Sequence, residues 1–88
     1  MAGQTLAGAV HKRAYQELLS ALIDLRLKVG ISQAELASRL GKPPSFVGKY
    51  ELGERRLDII ETIIIVKQLN MTIGEFLDQI QITMPSKL

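Results

Sequence analysis

The arrangements of side chains that enzymes use for covalent or metal chemistry are missing from this 88-residue chain. It has one histidine, His11, and no cysteine, so no thiolate nucleophile and no thiolate metal site can be built. Its carboxylates are not clustered at metal-ligand spacing, no glycine-rich loop is present to cradle a phosphate, and no serine sits in a nucleophile elbow. Catalysis, a metal and a cofactor are therefore not expected. What remains is charge and hydrogen bonding by basic side chains, and these are unevenly placed. The net charge is only +2, from 11 Lys and Arg against 9 Asp and Glu. Residues 1–31 carry +2 (Lys12, Arg13, Arg26 and Lys28 against Glu17 and Asp24). Residues 41–56 carry another +2 (Lys42, Lys49, Arg55 and Arg56 against Glu51 and Glu54). From Leu57 onward the sum is −2 (Lys67 and Lys87 against Asp58, Glu61, Glu75 and Asp78). A basic front and a faintly acidic rear make an oriented field that steers a polyanion toward one face.

The bulk properties narrow the class. Eighty-eight residues suffice for one small domain, which must rely on a compact core or on oligomerisation. With 47% apolar and 23% charged residues, the composition is that of a globular protein. The lack of cysteine excludes disulfide-stapled scaffolds and suits a reducing interior. The longest unbroken apolar stretch, residues 63–66, is far short of a membrane span. The basic residues near the N-terminus follow its apolar ones, the reverse of a secretory signal. A cytoplasmic protein with no membrane partner is expected.

Glycine and proline divide the chain into short helices. Residues 1–14 read as a mobile tail. A first helix is expected over residues 15–29, where Leu18, Leu22, Leu25 and Val29 recur at helical spacing and Gly30 supplies a stop. Ser32-Gln33-Ala34-Glu35 has the form of a capping box, with the Ser32 hydroxyl accepting from the Glu35 amide and the Glu35 carboxylate reaching back. It opens a second helix ended by Gly41. Pro43 extends the chain at Lys42, and Pro44 suits the first turn of a third helix that runs to about Leu52 and stops at Gly53. A fourth helix is predicted from about Asp58 to Leu69, and Thr72-Ile73-Gly74-Glu75 opens a fifth carrying Phe76, Leu77 and Ile80. The fold class is all-α, with the compact domain over residues 15–82 and a C-terminal tail over 83–88.

The informative piece is the pair of helices within residues 32–52. Two short helices crossing steeply need a small residue at the crossing, for which Ala37 is placed. They also need a sharp corner, for which Gly41 supplies a left-handed backbone conformation at little cost. Leu36, Leu40, Val47 and Tyr50 fill the wedge. This is the pattern of a helix-turn-helix, whose second helix is presented to the major groove of DNA.

Residues 31–63, ISQAELASRLGKPPSFVGKYELGERRLDIIETI, resemble the lambda-repressor-like DNA-binding domain of the Cro/C1-type (XRE) regulators of bacteria and phages. The motifs carrying the resemblance are S-Q-A-E-L-A, a glycine four residues after that last alanine, K-Y-E-L-G-E-R and an apolar fourth helix. Together the resemblance covers roughly residues 15–77. It implies a five-helix domain and a sequence-specific transcriptional regulator, acting most simply as a repressor. Double-stranded DNA would be its partner, read by a homodimer on a palindromic site. It also implies roles by position. Gln33, Lys42, Phe46, Arg55 and Arg56 would meet the DNA backbone. Ser45 and Lys49 would read base edges, Lys49 donating to guanine O6 and N7, and Pro44 would make van der Waals contacts only. Arg26 and Glu51 match a structural ion pair between the first and third helices.

The sequence departs from the family pattern at three places. Gly48 lies mid-helix where relatives commonly carry a polar residue, at a cost of about 1 kcal/mol in helix propensity. Leu27 and Ile64 replace polar residues and suggest a protein-binding surface. Residues 63–66 cannot all face inward, so at least one is exposed or covered by a partner. Leu57, Ile64, Leu77, Ile80 and Ile82 are the residues expected at a two-fold interface, although the C-terminal ones serve equally well as satellite core. His11, Lys12 and Arg13 read more simply as a solvated start to the first helix than as a DNA-embracing arm. A rival reading keeps the fold and changes the role: an antitoxin or regulatory subunit gripping a protein partner. The two differ in salt dependence, because each phosphate neutralised adds about 0.9 to the log–log slope.

Overall fold

The computed structural model describes residues 2–88, with side chains from Lys12 onward. Among the described residues there are five helices and no strand: α1 (Ala2–Val29), α2 (Gln33–Arg39), α3 (Ser45–Glu51), α4 (Ile59–Gln68) and α5 (Ile73–Gln79). The first helix begins at Ala2, well ahead of the expected start near Tyr15, so the backbone of residues 2–14 is helical. No proline interrupts that stretch, and its alanines favour the continuation. At 1.5 Å per residue, 28 residues span about 42 Å, which matches the longest dimension of the molecule, 42 Å. Met1 and the side chain of His11 lie outside the described residues.

The core is assembled from one face of each helix. Leu19, Leu22 and Leu25 of α1, Leu36 and Ala37 of α2, and Val47 and Tyr50 of α3 are buried together with Ile65, Val66, Leu69 and Phe76. On α1 the buried seam runs through Leu19, with Leu18 and Val29 half-buried beside it. The run at 63–66 divides as geometry requires: Ile65 and Val66 face inward and Ile64 is 46% exposed.

The caps explain where the elements stop. The Ser32 hydroxyl accepts from the Glu35 amide at 3.0 Å. The Glu35 carboxylate does not reach back, however, because Arg39 one turn on takes it at 2.6 Å. A charged guanidinium is a stronger partner for that carboxylate than a neutral backbone N–H. Full capping boxes open α4 (Asp58 with Glu61) and α5 (Thr72 with Glu75). The α2 end is a Schellman turn, with Gly41 N donating to Ser38 O at 3.0 Å and Lys42 N to Ala37 O at 2.9 Å. Gly41 sits at φ +69°, and a Cβ on it would meet no atom within 4 Å, so its backbone conformation and not crowding requires glycine. Gly41 is therefore a corner and contributes nothing to the core itself. Asn70 takes the same left-handed conformation after α4, at φ 64°.

Candidate nucleic-acid interface

The site is built on α3. Val47 and Tyr50, three residues apart, are fully buried and fix the rotation of this helix about its axis. That rotation turns Ser45 and Lys49 outward, and both are exposed. Pro44 stands at the head of the helix, exposed, with φ −55° and ψ −28°. Its ring pre-sets the first helical turn, and Phe46 N closes that turn onto Pro43 O at 3.0 Å. Gly48 lies between the outward residues and is covered by the Gln33 amide. A Cβ there would meet Gln33 Oε1 at 3.5 Å, an ordinary contact, so the glycine is not sterically required.

Beneath this face a polar knot ties three helices together. Arg26 of α1 donates from Nε to Glu51 Oε2 at 2.7 Å and from Nη2 to Glu51 Oε1 at 3.1 Å, while Nη1 donates to Ile31 O at 3.0 Å. The two side chains are only 9% and 6% exposed, and the guanidinium is held above its ordinary pKa chiefly by the hydrogen bond to Glu51. Gln33 of α2 joins from outside, Nε2 donating to Glu51 Oε1 at 2.7 Å. Gln33 is exposed, but one of its amide hydrogens is already committed inside the protein.

The basic side chains divide into bound and unspent. Arg55 forms a bidentate pair with Glu61, at 2.9 Å (Nη1 to Oε1) and 2.7 Å (Nη2 to Oε2), and Nη1 also donates to Arg56 O at 2.9 Å. Its guanidinium lies 4.9 Å from the centre of the Phe46 ring, which Lys42 Nζ also approaches at 5.5 Å. Arg55 is thus anchored by the fold, and most of what sequence reasoning assigned to phosphate contact there is spent on α4. Its hydrogen bonds, with that of the Asp58 amide second, pull the Glu61 carboxyl down to about 2. Arg56 and Lys49 have no hydrogen-bond acceptor among the described residues. Arg56 stacks its guanidinium 4.4 Å from the centre of the Tyr15 ring. Tyr15 and Glu61 escaped sequence reasoning as site residues. The i, i+3 spacing of Asp58 and Glu61 was the available signal for the second, and nothing local marks the first.

Of the apolar residues expected at a two-fold contact, Leu57 and Ile80 are half-buried and pack on the core. Each is tied to a neighbouring helix by its backbone, Leu57 N donating to the Tyr15 hydroxyl of α1 at 2.9 Å and Ile80 N to Phe76 O of α5 at 3.2 Å. Ile82 is half-buried, whereas Ile64 and Leu77 are 46% and 52% exposed. Leu27, Leu52, Ile59 and Ile60 are also exposed. Lys12 is exposed, and Arg13 pairs with Glu17 one turn on at 3.4 Å. No helix among the described residues is long and apolar enough to cross a membrane. No group of three or more potential metal ligands occurs among them.

Comparison with known proteins agrees with this arrangement. Residues 22–76 match the helix-turn-helix protein family. An XRE-family like protein from Pseudomonas syringae pv. tomato str. DC3000 superposes with a TM-score of 0.79 at 40% sequence identity, over 84% of this chain and 90% of that one. No curated protein matches the chain.

Proposed function

Because the chain belongs to the XRE-type helix-turn-helix family of DNA-binding transcription regulators, we propose that it lays α3 in the major groove and represses transcription as a homodimer on a palindromic operator. The observation that carries this reading is the outward face of α3: Ser45 and Lys49 are exposed, one turn apart, on a helix whose other side is locked by Val47 and Tyr50. Lys49 is the charged base reader, suited to guanine O6 and N7. Ser45 donates or accepts, and Pro44 offers only an apolar surface, which fits a thymine methyl. Gln33, Lys42 and Arg56 meet phosphates, with Phe46 against the sugar–phosphate wall.

A single module of this size buries too little surface for operator-level affinity, so two copies are needed. Related by a two-fold axis, they place their α3 helices about 34 Å apart, one turn of duplex. Of the residues expected at that contact, Ile64, Leu77 and Ile82 are not packed on the core and remain to make it. The exposed Leu52, Ile59, Ile60 and Ile64 also suit a second reading, in which a protein partner is gripped as in an antitoxin or regulatory subunit.

Selection of bound sequences from a random duplex pool at two salt concentrations tests the proposal. A palindromic consensus and steeply salt-dependent affinity are expected. Lys49→Ala is expected to relax the preference at one position of each half-site, at a cost of about 1–3 kcal/mol. A variant that selects the same consensus as the parent protein refutes the role of Lys49. Salt-insensitive association with protein and no retention on duplex favours the second reading.

A further inference from the structure

We propose that Tyr15 of α1 is a positioning residue that aims Arg56 at a nucleic-acid phosphate, an inference that rests on the DNA-binding reading above. Tyr15 holds the loop between α3 and α4 at two points. Its hydroxyl oxygen accepts from Leu57 N at 2.9 Å, and its ring carries the Arg56 guanidinium at 4.4 Å from its centre. The backbone before that amide is held from the other side, where Arg55 Nη1 donates to Arg56 O at 2.9 Å. The peptide group between Arg56 and Leu57 is thereby held at both its N–H and its C=O, and the Arg56 guanidinium lies over the Tyr15 ring.

Its hydrogen-bonding capacity is not used. A ring face offers the guanidinium N–H donors no oxygen acceptor, so the fork that matches two phosphate oxygens stays unspent. None of those donors meets an acceptor among the described residues, and Arg56 is exposed. The neighbouring Arg55, by contrast, is closed onto Glu61. Two adjacent arginines therefore have opposite roles: Arg55 braces the loop, and Arg56, pre-ordered on Tyr15, is left for an anion. Pre-ordering removes the immobilisation cost of one long side chain, which corresponds to about two- to tenfold in affinity.

The test uses the full chain, a random-sequence DNA duplex, and fluorescence anisotropy at fixed low salt. Arg56→Ala is expected to weaken binding. Tyr15→Leu, which removes no charge, is expected to weaken it about two- to tenfold. The double variant is expected to bind no more weakly than Arg56→Ala alone, because Tyr15 acts through Arg56. A purely structural Tyr15 would instead lower the melting temperature and multiply its loss with that of Arg56→Ala, which overturns the proposal. Parent-like binding by Tyr15→Leu, or by Arg56→Ala, overturns it as well while leaving the DNA-binding reading intact. A parent protein that does not bind the duplex at all overturns both. Should Tyr15→Leu not fold, Tyr15→Phe carries the test. It keeps the ring and is expected to accelerate hydrogen exchange at the Leu57 amide and to weaken binding in an Arg56-dependent way, and unchanged affinity despite a freed amide refutes the assignment.

Discussion

Tyr50 is fully buried, yet its hydroxyl has no hydrogen-bond partner among the described residues. Burial pushes its phenol well above the ordinary tyrosine pKa, so the group stays protonated and its dipole is unpaired. The ring itself is well used, meeting Phe46 edge-on with centroids 5.7 Å apart at 68°. Burying an unpaired hydroxyl costs about 1–3 kcal/mol relative to pairing it, whereas replacing it by hydrogen costs little. Tyr50→Phe is therefore expected to leave stability unchanged or to raise it by up to about 1 kcal/mol in urea unfolding. A loss of more than that amount means that the hydroxyl is hydrogen-bonded in solution. Gly48 is a second residue of this kind, since the space around it admits a methyl group.

At the scale of elements, the angle between α2 and α3 is set by what lies between them. Leu36, Ala37, Val47 and Tyr50 are fully buried, and the small side chain of Ala37 lets the two helices approach. The corner at Gly41 satisfies the last carbonyls of α2 through its Schellman bonds, and that closure depends on a left-handed φ. Because open space surrounds the missing Cβ, Gly41→Ala isolates the backbone cost. It is expected to destabilise by about 1–2 kcal/mol. Gly41→Asn is expected to lose less, since asparagine tolerates this conformation, as Asn70 already does at the end of α4. Equal melting temperatures for Gly41→Ala and the parent protein would show that the corner relaxes to another turn.

Beside the apolar core, two carboxylates tie neighbouring elements of the molecule together. Glu51 binds Arg26 and Gln33, linking α1, α2 and α3, and Glu61 binds Arg55, linking the loop to α4. Glu61 titrates at about 2 in the folded chain against its ordinary 4.5, and Glu75 is also lowered, by its hydrogen bonds with Thr72. A carboxyl whose pKa is depressed on folding binds fewer protons folded than unfolded, so it stabilises above its unfolded pKa. That contribution is complete above about pH 5 and is lost as pH falls toward 2. The melting temperature is expected to fall across this window, and Glu61→Gln, which keeps an acceptor for the Asp58 amide, is expected to flatten the fall. A Glu61→Gln profile parallel to the parent's would exclude the Arg55 pair as a source of the acid sensitivity.

Residue order alone determined the number of helices, most of their ends and the inward side of α3 at Val47 and Tyr50, whereas the roles of Ser45 and Lys49 were implied by the family resemblance. The first three depend on local rules: helical spacing of apolar side chains, caps two or three residues away, and glycine where φ turns positive. The same rules mistook the start of α1, because a long helix without a stop signal gives no local sign of where it begins. They set Glu35 back toward Ser32, when an arginine one turn later competed for it. Tertiary structure alone decided which cations are available. Arg55 and Arg56 are neighbours of the same type, and nothing in their spacing distinguishes them. The difference arises because the folded chain brings Glu61 to one and the Tyr15 ring, 41 residues earlier in the sequence, to the other. Charge pairing and stacking act through space, so the roles of these two arginines exist only once the chain has closed on itself.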